Sequence, residues 1–330
     1  MSNKNPLSIS LSKSQNKIEV GISACLIGMP VRYNGGHSQS KLCLQTLNQY
    51  FNWRSFCPEV MAGFSTPRPS MRLVGNPDSP QLINPRQPEV DLTSQLIGGF
   101  SEHLDSFSHL HGYILMKNSP SCGMERVKVY QTNGHPHPLR RQGLFAQALQ
   151  ARYPLMPIEE EGRLHDAHLL ENFVMRVYVH YRYQRDVMNN TSIANLLAFH
   201  SQHKYLLMAH NPETLKRMGQ LLSQPHQGPS IASIATQYFR LLMSALSKPA
   251  TRSKQTNVLQ HLLGHLRRHL TSTTRQHLVA VINRYRIGEL PLAAPLTLLQ
   301  HYLTLSDDAY LKQQHYFSPY PDQLGLANHV

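Results

Sequence analysis

The hydrophobic pattern along the chain changes character once. Between residues 18 and 158, short apolar runs alternate with helix-length stretches. Ile18, Val20 and Ile22 recur at every second position, the period of a half-buried strand. Trp53–Phe56 and Gly112–Met116 are further short runs of aromatic and branched residues, and Val127–Tyr130 reads as another strand. Between them, Ser38–Tyr50 places Leu42, Cys43, Leu47 and Tyr50 on one side of a helix. Asp91-Leu92-Thr93 leads into a helix reaching Phe107, and Gln142–Tyr153 has an amphipathic helical period. Strands alternating with helices predict a layered α/β domain around a mostly parallel sheet. Gly63–Pro88, rich in Pro and Gly, is expected as coil, and coil of that length in a compact domain is usually functional.

After Pro154, Pro157 and Glu159-Glu160-Glu161-Gly162 the pattern becomes wholly helical. The expected helices are Leu164–Gln184, Ser192–His210, Pro212–Ser223, Ser230–Leu246, Lys254–Leu270, Thr273–Gly288 and Pro295–Leu305. Asn211-Pro212 supplies both an N-cap and a first-position proline. The expected organisation is a disordered tail over 1–17, an α/β domain over 18–158 and an all-α domain over 159–330.

Composition narrows the class. The chain has 330 residues, 41% of them hydrophobic, enough to build proper cores. No apolar stretch approaches the ~20 residues of a membrane span. The first 17 residues are polar and lack the apolar core of a secretory signal, so the cytoplasm is the expected compartment. Four cysteines are no disulfide framework; cytosolic cysteines spread in this way are more often metal-binding or catalytic. The formal net charge is +13, and no Asp or Glu occurs between Thr214 and Arg286. That distribution is the footprint of a polyanion partner, nucleic acid first.

Three cysteines sit alike: Cys25 just past Ile18–Ser23, Cys57 just past Trp53–Phe56, and Cys122 just past Gly112–Met116. In an open parallel sheet ligands bind beyond the carboxyl ends of the strands, so these three are expected to converge on one edge. Buried structural cysteines, a three-Cys zinc and an iron–sulfur cluster with one open iron are all compatible with the spacing. Cys43, on the apolar side of its helix, reads as a small core residue.

Five motifs occur in order: Ser23-Ala24-Cys25-Leu26, Val31-Arg32-Tyr33-Asn34-Gly35-Gly36-His37, Cys57-Pro58-Glu59-Val60, Thr66-Pro67-Arg68-Pro69 and Asn118-Ser119-Pro120-Ser121-Cys122-Gly123. Together they resemble the thiouracil desulfidase (TudS) family over residues 18–158. Glu171-Asn172-Phe173-Val174, Phe199-His200-Ser201-Gln202-His203-Lys204 and Leu207-Met208-Ala209-His210 resemble the YbgA-type helical domain, which occurs fused behind such domains in proteins that desulfurate tRNA thiouridine. The resemblance implies a [4Fe-4S] cluster on Cys25, Cys57 and Cys122 that removes sulfur hydrolytically from 4-thiouridine. It implies Glu59 as proton shuttle and Ser119 as its hydrogen-bonding partner. Tyr33, Gly35, Gly36, Asp91 and Lys117 are the expected substrate contacts; Arg68 and Arg72, in the Pro-rich coil, are read as contacts to a nucleotide phosphate or to solvent.

A free base carries no phosphate and needs no basic helical domain, whereas tRNA does. Lys204, Lys216, Arg217, Lys248, Arg252, Lys254, Arg267, Arg268, Arg275, Arg284 and Arg286 are the candidate RNA contacts. His261, His265 and His269 share a helical face and read as a polar or RNA-facing stripe. No obligate protein partner is inferred. The rival readings are a desulfidase of free thiouracil or thiouridine, and a non-catalytic RNA-binding protein with a structural metal.

Overall fold

The computed structural model describes residues 17–131, 133–223 and 230–321 together with Leu324 and Leu326; the expected tail over 1–17 lies, but for Lys17, outside the described residues. The chain opens with strands β1 (Ile18–Ser23) and β2 (Phe51–Phe56) and the single turn α1 (Pro58–Met61). Short strands β3 (Arg72–Val74), β4 (Gln81–Asn84) and β5 (Gln87–Asp91) precede helix α2 (Thr93–Leu104). Then come β6 (Tyr113–Leu115), β7 (Val127–Tyr130), β8 (Pro136–Arg141), α3 (Leu144–Arg152) and β9 (Ile158–Glu160).

Two sheets result. The first has the order β2-β1-β6-β9 and is parallel throughout. The second, β5-β4-β3-β7-β8, is mixed, with only the β3–β7 pair parallel. The structure thus corrects the sequence expectation over Gly63–Pro88: about a third of that supposed coil is sheet. Its strands are only three to five residues long and bury little besides Leu73, Leu82 and Ile83, too short a run for a period to register. Ser38–Tyr50 is looser than the helix expected, a π-turn over Leu42–Thr46 followed by a 3₁₀ turn over Leu47–Gln49.

The second half is helical: α4 (Ala167–Tyr183), α5 (Ile193–His210), α6 (Pro212–Ser223), α7 (Ile231–Ala245), α8 (Arg252–Leu266), α9 (Ser272–Arg286), α10 (Ala293–Thr304) and the short α11 (Ala309–Lys312). The starts are written in the sequence. Asp166, Ser192, Ser230, Thr251 and Thr271 each accept a backbone N–H from the first turn, and Asn211 Oδ1 accepts from Thr214 N at 3.0 Å. Each such cap stabilises its helix by about 1 kcal/mol.

The two halves share a core. Ile18, Val20, Ile22, Phe51 and Ile114 on one face of the parallel sheet pack in one cluster with Phe173, Val174 and Val177 of α4 and with residues of α5–α7. The opposite face, through Phe56, Tyr113 and Leu115, meets Phe100 of α2, Phe107 and Phe145 of α3. The sheet is therefore a middle layer, and the helical half provides one of its covers. At Gly112 α4 comes very close: a Cβ there would lie 2.6 Å from Val177 Cγ2. A third cluster, built from α5, α8, α9 and α10, lies farther from the sheet.

Candidate active site

Cys25 is the second residue of the 3₁₀ turn directly after β1, Cys57 is the N-cap of α1 directly after β2, and Cys122 follows β6. Because β2, β1 and β6 are adjacent and parallel, all three residues lie beyond the same carboxyl edge. They line one cavity of about 690 Å³ together with Ser23, Arg32, Tyr33, Glu59, Arg68, Lys117 and Ser119. Cys43 is fully buried in the core cluster and does not line it.

Each of the three thiols is desolvated. Burial, then the facing Cys57, pushes Cys25 up to about 11. Burial likewise raises Cys57, and it lifts Cys122 well above the usual thiol range, with Cys57 and Glu59 adding to the effect. Tyr113 contributes a buried hydroxyl with no hydrogen-bond partner, and the charges of Cys122, Cys57 and Cys25 all bear on it. Among the described residues no three His, Cys, Asp or Glu side chains converge closely enough to hold a single metal ion. The cavity lining contains no fourth Cys and no His. Three thiols that share a cavity without meeting at a point, beside an orphaned donor, fit a group larger than one ion that takes three sulfur ligands.

Two carboxylates line the cavity, Glu161, which Ser40 Oγ meets at 2.8 Å, and Glu59, whose position is tightly specified. Arg68 meets Glu59 Oε2 through both Nη2 and Nε, the latter at 3.1 Å. Ser121 Oγ donates to Oε1 at 2.8 Å, and Ser119 Oγ reaches the same oxygen at 3.5 Å. The Ser119 hydroxyl also accepts from the backbone N–H groups of Ser121 and Cys122, at 3.2 and 3.1 Å, so it shapes the turn that presents Cys122. Ser23 hydrogen-bonds the Cys122 thiol and accepts from Met116 N at 3.0 Å. Sequence reasoning did not single out Ser23, Ser121 or the Arg68–Glu59 pair. Ser23 and Ser121 stand within the cysteine motifs, which is the signal available for them.

The remaining expected contacts divide. Tyr33 and Lys117 line the cavity, with Tyr33 46% exposed at its rim. Gly35 and Gly36 close the turn beneath Tyr33: Gly35 has φ +76°, Arg32 N donates to Gly36 O at 3.1 Å, and Arg68 N donates to Tyr33 O at 2.8 Å. Asp91 is not brought to the cavity; its carboxylate accepts from Thr93 N at 2.8 Å at the start of α2. Arg72, in β3, lies over the Tyr130 ring.

In the helical half Lys216, Arg217, Arg267, Arg268 and Arg286 are exposed, while Arg284 pairs with Glu289 at 2.9 Å. Arg252 donates to Tyr285 O and Lys254 to His210 O, at 2.8 and 2.7 Å, so both close helix C-termini. Lys204 is half-buried over the Tyr205 ring. His203 and His210 are buried, each with Nδ1 against the carbonyl one turn earlier, which makes them packing residues.

Two family profiles match the chain. One, described as 2-thiouracil desulfurase, covers residues 20–161. The other, described as a protein of unknown function (DUF1722), covers residues 204–321. YbgA of Escherichia coli strain K12 is 34% identical over 158 residues, 48% of this chain and 94% of YbgA. YbbK of Bacillus subtilis strain 168 is 31% identical over 109 residues, 31% of this chain and 71% of YbbK. A solved structure described as a [4Fe-4S]-dependent thiouracil desulfidase, TudS, shares 28% identity with a TM-score of 0.37, covering 45% of this chain and 94% of its own.

Proposed function

Because the chain belongs to the 2-thiouracil desulfurase family through residues 20–161 and to the DUF1722, YbgA-like family through residues 204–321, we propose that it removes sulfur from a thiolated uracil carried in tRNA, with 4-thiouridine as the substrate. The observation that carries the reading is the convergence of Cys25, Cys57 and Cys122 on one cavity that also holds Glu59. Cys25, Cys57 and Cys122 would hold a [4Fe-4S] cluster. When bound, it supplies a Lewis-acidic iron without a protein ligand for the thiocarbonyl sulfur.

The balance is hydrolytic. Oxygen from water bonds to the ring carbon, the carbon–sulfur bond breaks, and both protons of water leave with sulfur as hydrogen sulfide. No reductant is consumed. Glu59 takes the proton from water as oxygen adds and returns it to the departing sulfur. Arg68 holds the Glu59 carboxylate in place, and the Ser119 and Ser121 hydroxyls fix its other oxygen. Tyr33 and Lys117 contact the base or its ribose at the cavity mouth. A cavity of about 690 Å³ accommodates one nucleobase rather than a duplex, so a stacked base has to be flipped out to enter.

The tRNA part of the reading is supported by the net charge of +13 and the acid-free tract Thr214–Arg286. The candidate contacts left exposed are Lys216, Arg217, Arg267, Arg268 and Arg286, in a cytoplasmic enzyme, whereas Lys204, Arg252, Lys254 and Arg284 are engaged within the helical half. The family description favours free 2-thiouracil as the alternative substrate. Anaerobic reconstitution followed by addition of tRNA bearing 4-thiouridine decides the matter through its near-ultraviolet absorbance. Loss of that absorbance with wild type but not with Cys122→Ala is the expected result. Consumption of free thiouracil alone would move the substrate to small molecules, and turnover of neither would end the enzyme reading.

A further inference from the structure

Helix α8 presents to solvent a face unlike an ordinary solvated one. Asn257, Gln260, His261 and His265 follow one another along it and, with Arg268 and His269 of the 3₁₀ turn that succeeds it, line an open cleft of about 790 Å³. Solvated helix faces normally mix signs; this face carries donors and no acid. The cleft's single carboxylate, Asp308, comes from the loop before α11. It is already engaged, accepting from Leu311 N at 2.8 Å while its other oxygen lies 3.8 Å from His265 Nδ1.

Gly264 is a second, independent sign. It stands in the last turn of α8, two residues before the helix ends, and lines the same cleft. An exposed glycine within the helical span still weakens the helix relative to Ala, less at its end than at its centre. Nothing in the fold requires it, because an added Cβ would meet no atom within 4 Å. The missing side chain leaves open the floor between His261, His265 and Arg268. Small residues of this kind admit the close approach of another backbone.

We infer that this cleft on α8 is a docking site for the sugar–phosphate backbone of a nucleic acid, with Gly264 as the point of closest approach and Asn257, Gln260, His261, His265 and Arg268 as the donors around it. The inference rests on the tRNA reading and adds where the polymer is held. Phosphate is the group that a ring of neutral and cationic N–H donors fits, since Arg binds it bidentately and amides accept no charge in return.

The test measures binding of bulk tRNA by fluorescence anisotropy at several salt concentrations, with a thermal melt of each variant as the folding control. Gly264→Leu is expected to raise or preserve the melting temperature while weakening tRNA by about tenfold or more. Arg268→Gln is expected to lower the log–log salt slope by about one, and His261→Gln/His265→Gln to weaken binding at every salt. Arg240→Gln, which removes an equal charge from α7, leaves the affinity within about twofold. Wild-type affinity in Gly264→Leu and in the double histidine variant would overturn the cleft while leaving tRNA as substrate. Absence of tRNA binding by the wild type would overturn both.

Discussion

Arg68 lies across the Glu59 carboxylate with only 5% of its side chain exposed, against 14% for Glu59. Its other guanidinium donors reach Val31 O at 3.0 Å, Ser65 O at 3.1 Å and Thr66 Oγ1 at 3.1 Å. One side chain thereby ties the proposed proton shuttle to both loops that frame the cavity. Arg68→Ala leaves a desolvated carboxylate without its partner, which typically costs about 3 kcal/mol. A lowered denaturant midpoint together with a loss of desulfidation of about a hundredfold is expected. Arg68→Lys should recover little of either, because a single ammonium cannot reproduce a planar fork with three separate directions of donation.

The four cysteines should separate cleanly under anaerobic reconstitution. Cys25→Ala, Cys57→Ala and Cys122→Ala lose bound iron, read as iron per chain and visible absorbance. Cys43→Ala keeps wild-type loading, because Cys43 sits in the apolar cluster away from the cavity. Equal iron in all four variants would remove the thiols from the centre of the site.

Gly112 tests the joint between the halves. Gly112→Ala drives a methyl against Val177 Cγ2 and should destabilise by about 1–3 kcal/mol. Val177→Ala makes room for it. A double-mutant cycle from urea melts should therefore show the paired variant less destabilised than the sum of the two singles.

His111 and His180 meet Nδ1 to Nδ1 at 3.1 Å where the segment before β6 touches α4. Burial lowers His111 to about 4, with His109 adding to the effect and Glu19 opposing it, and lowers His180 to about 3, with His111 and then Arg176 adding to it. Both values lie below the ~6.5 of an unfolded histidine, so the unfolded chain binds protons first as pH falls. This contribution to stability is complete above about pH 6.5 and declines as pH drops toward 4. Urea midpoints across that window should fall with acid in the wild type and fall less steeply in His180→Gln.

Much of this architecture is legible in the residues. Pro212–Ser223 is found as expected because Asn211 and Pro212 specify its first turn through local chemistry alone. The cysteines converge because each ends a strand of one parallel sheet, a consequence of topology rather than of fine packing. Of the small mixed sheet only β7, Val127–Tyr130, reads as a strand in the residues; its partners and β9 were hidden for the converse reason. Ile-Glu-Glu carries no period, and β9 exists only because the exposed edge of β6 is available to pair. Arg68 reads as a solvent or phosphate contact until the fold brings Glu59 beneath it. Arg252 and Lys254 count toward the basic charge in sequence, yet each already has a helix C-terminus to satisfy.

The core cluster that runs from β1 through α4 to α7 has one more implication. Halves joined by a shared interior, with a helix seated on the sheet at Gly112, are packed on each other rather than strung on a linker. For a substrate long enough to touch both, the span from the helical surface to the cysteine cavity is a constant of the molecule. The protein acts as a ruler, and any change of shape needed to bring a base to the cavity has to be made by the substrate.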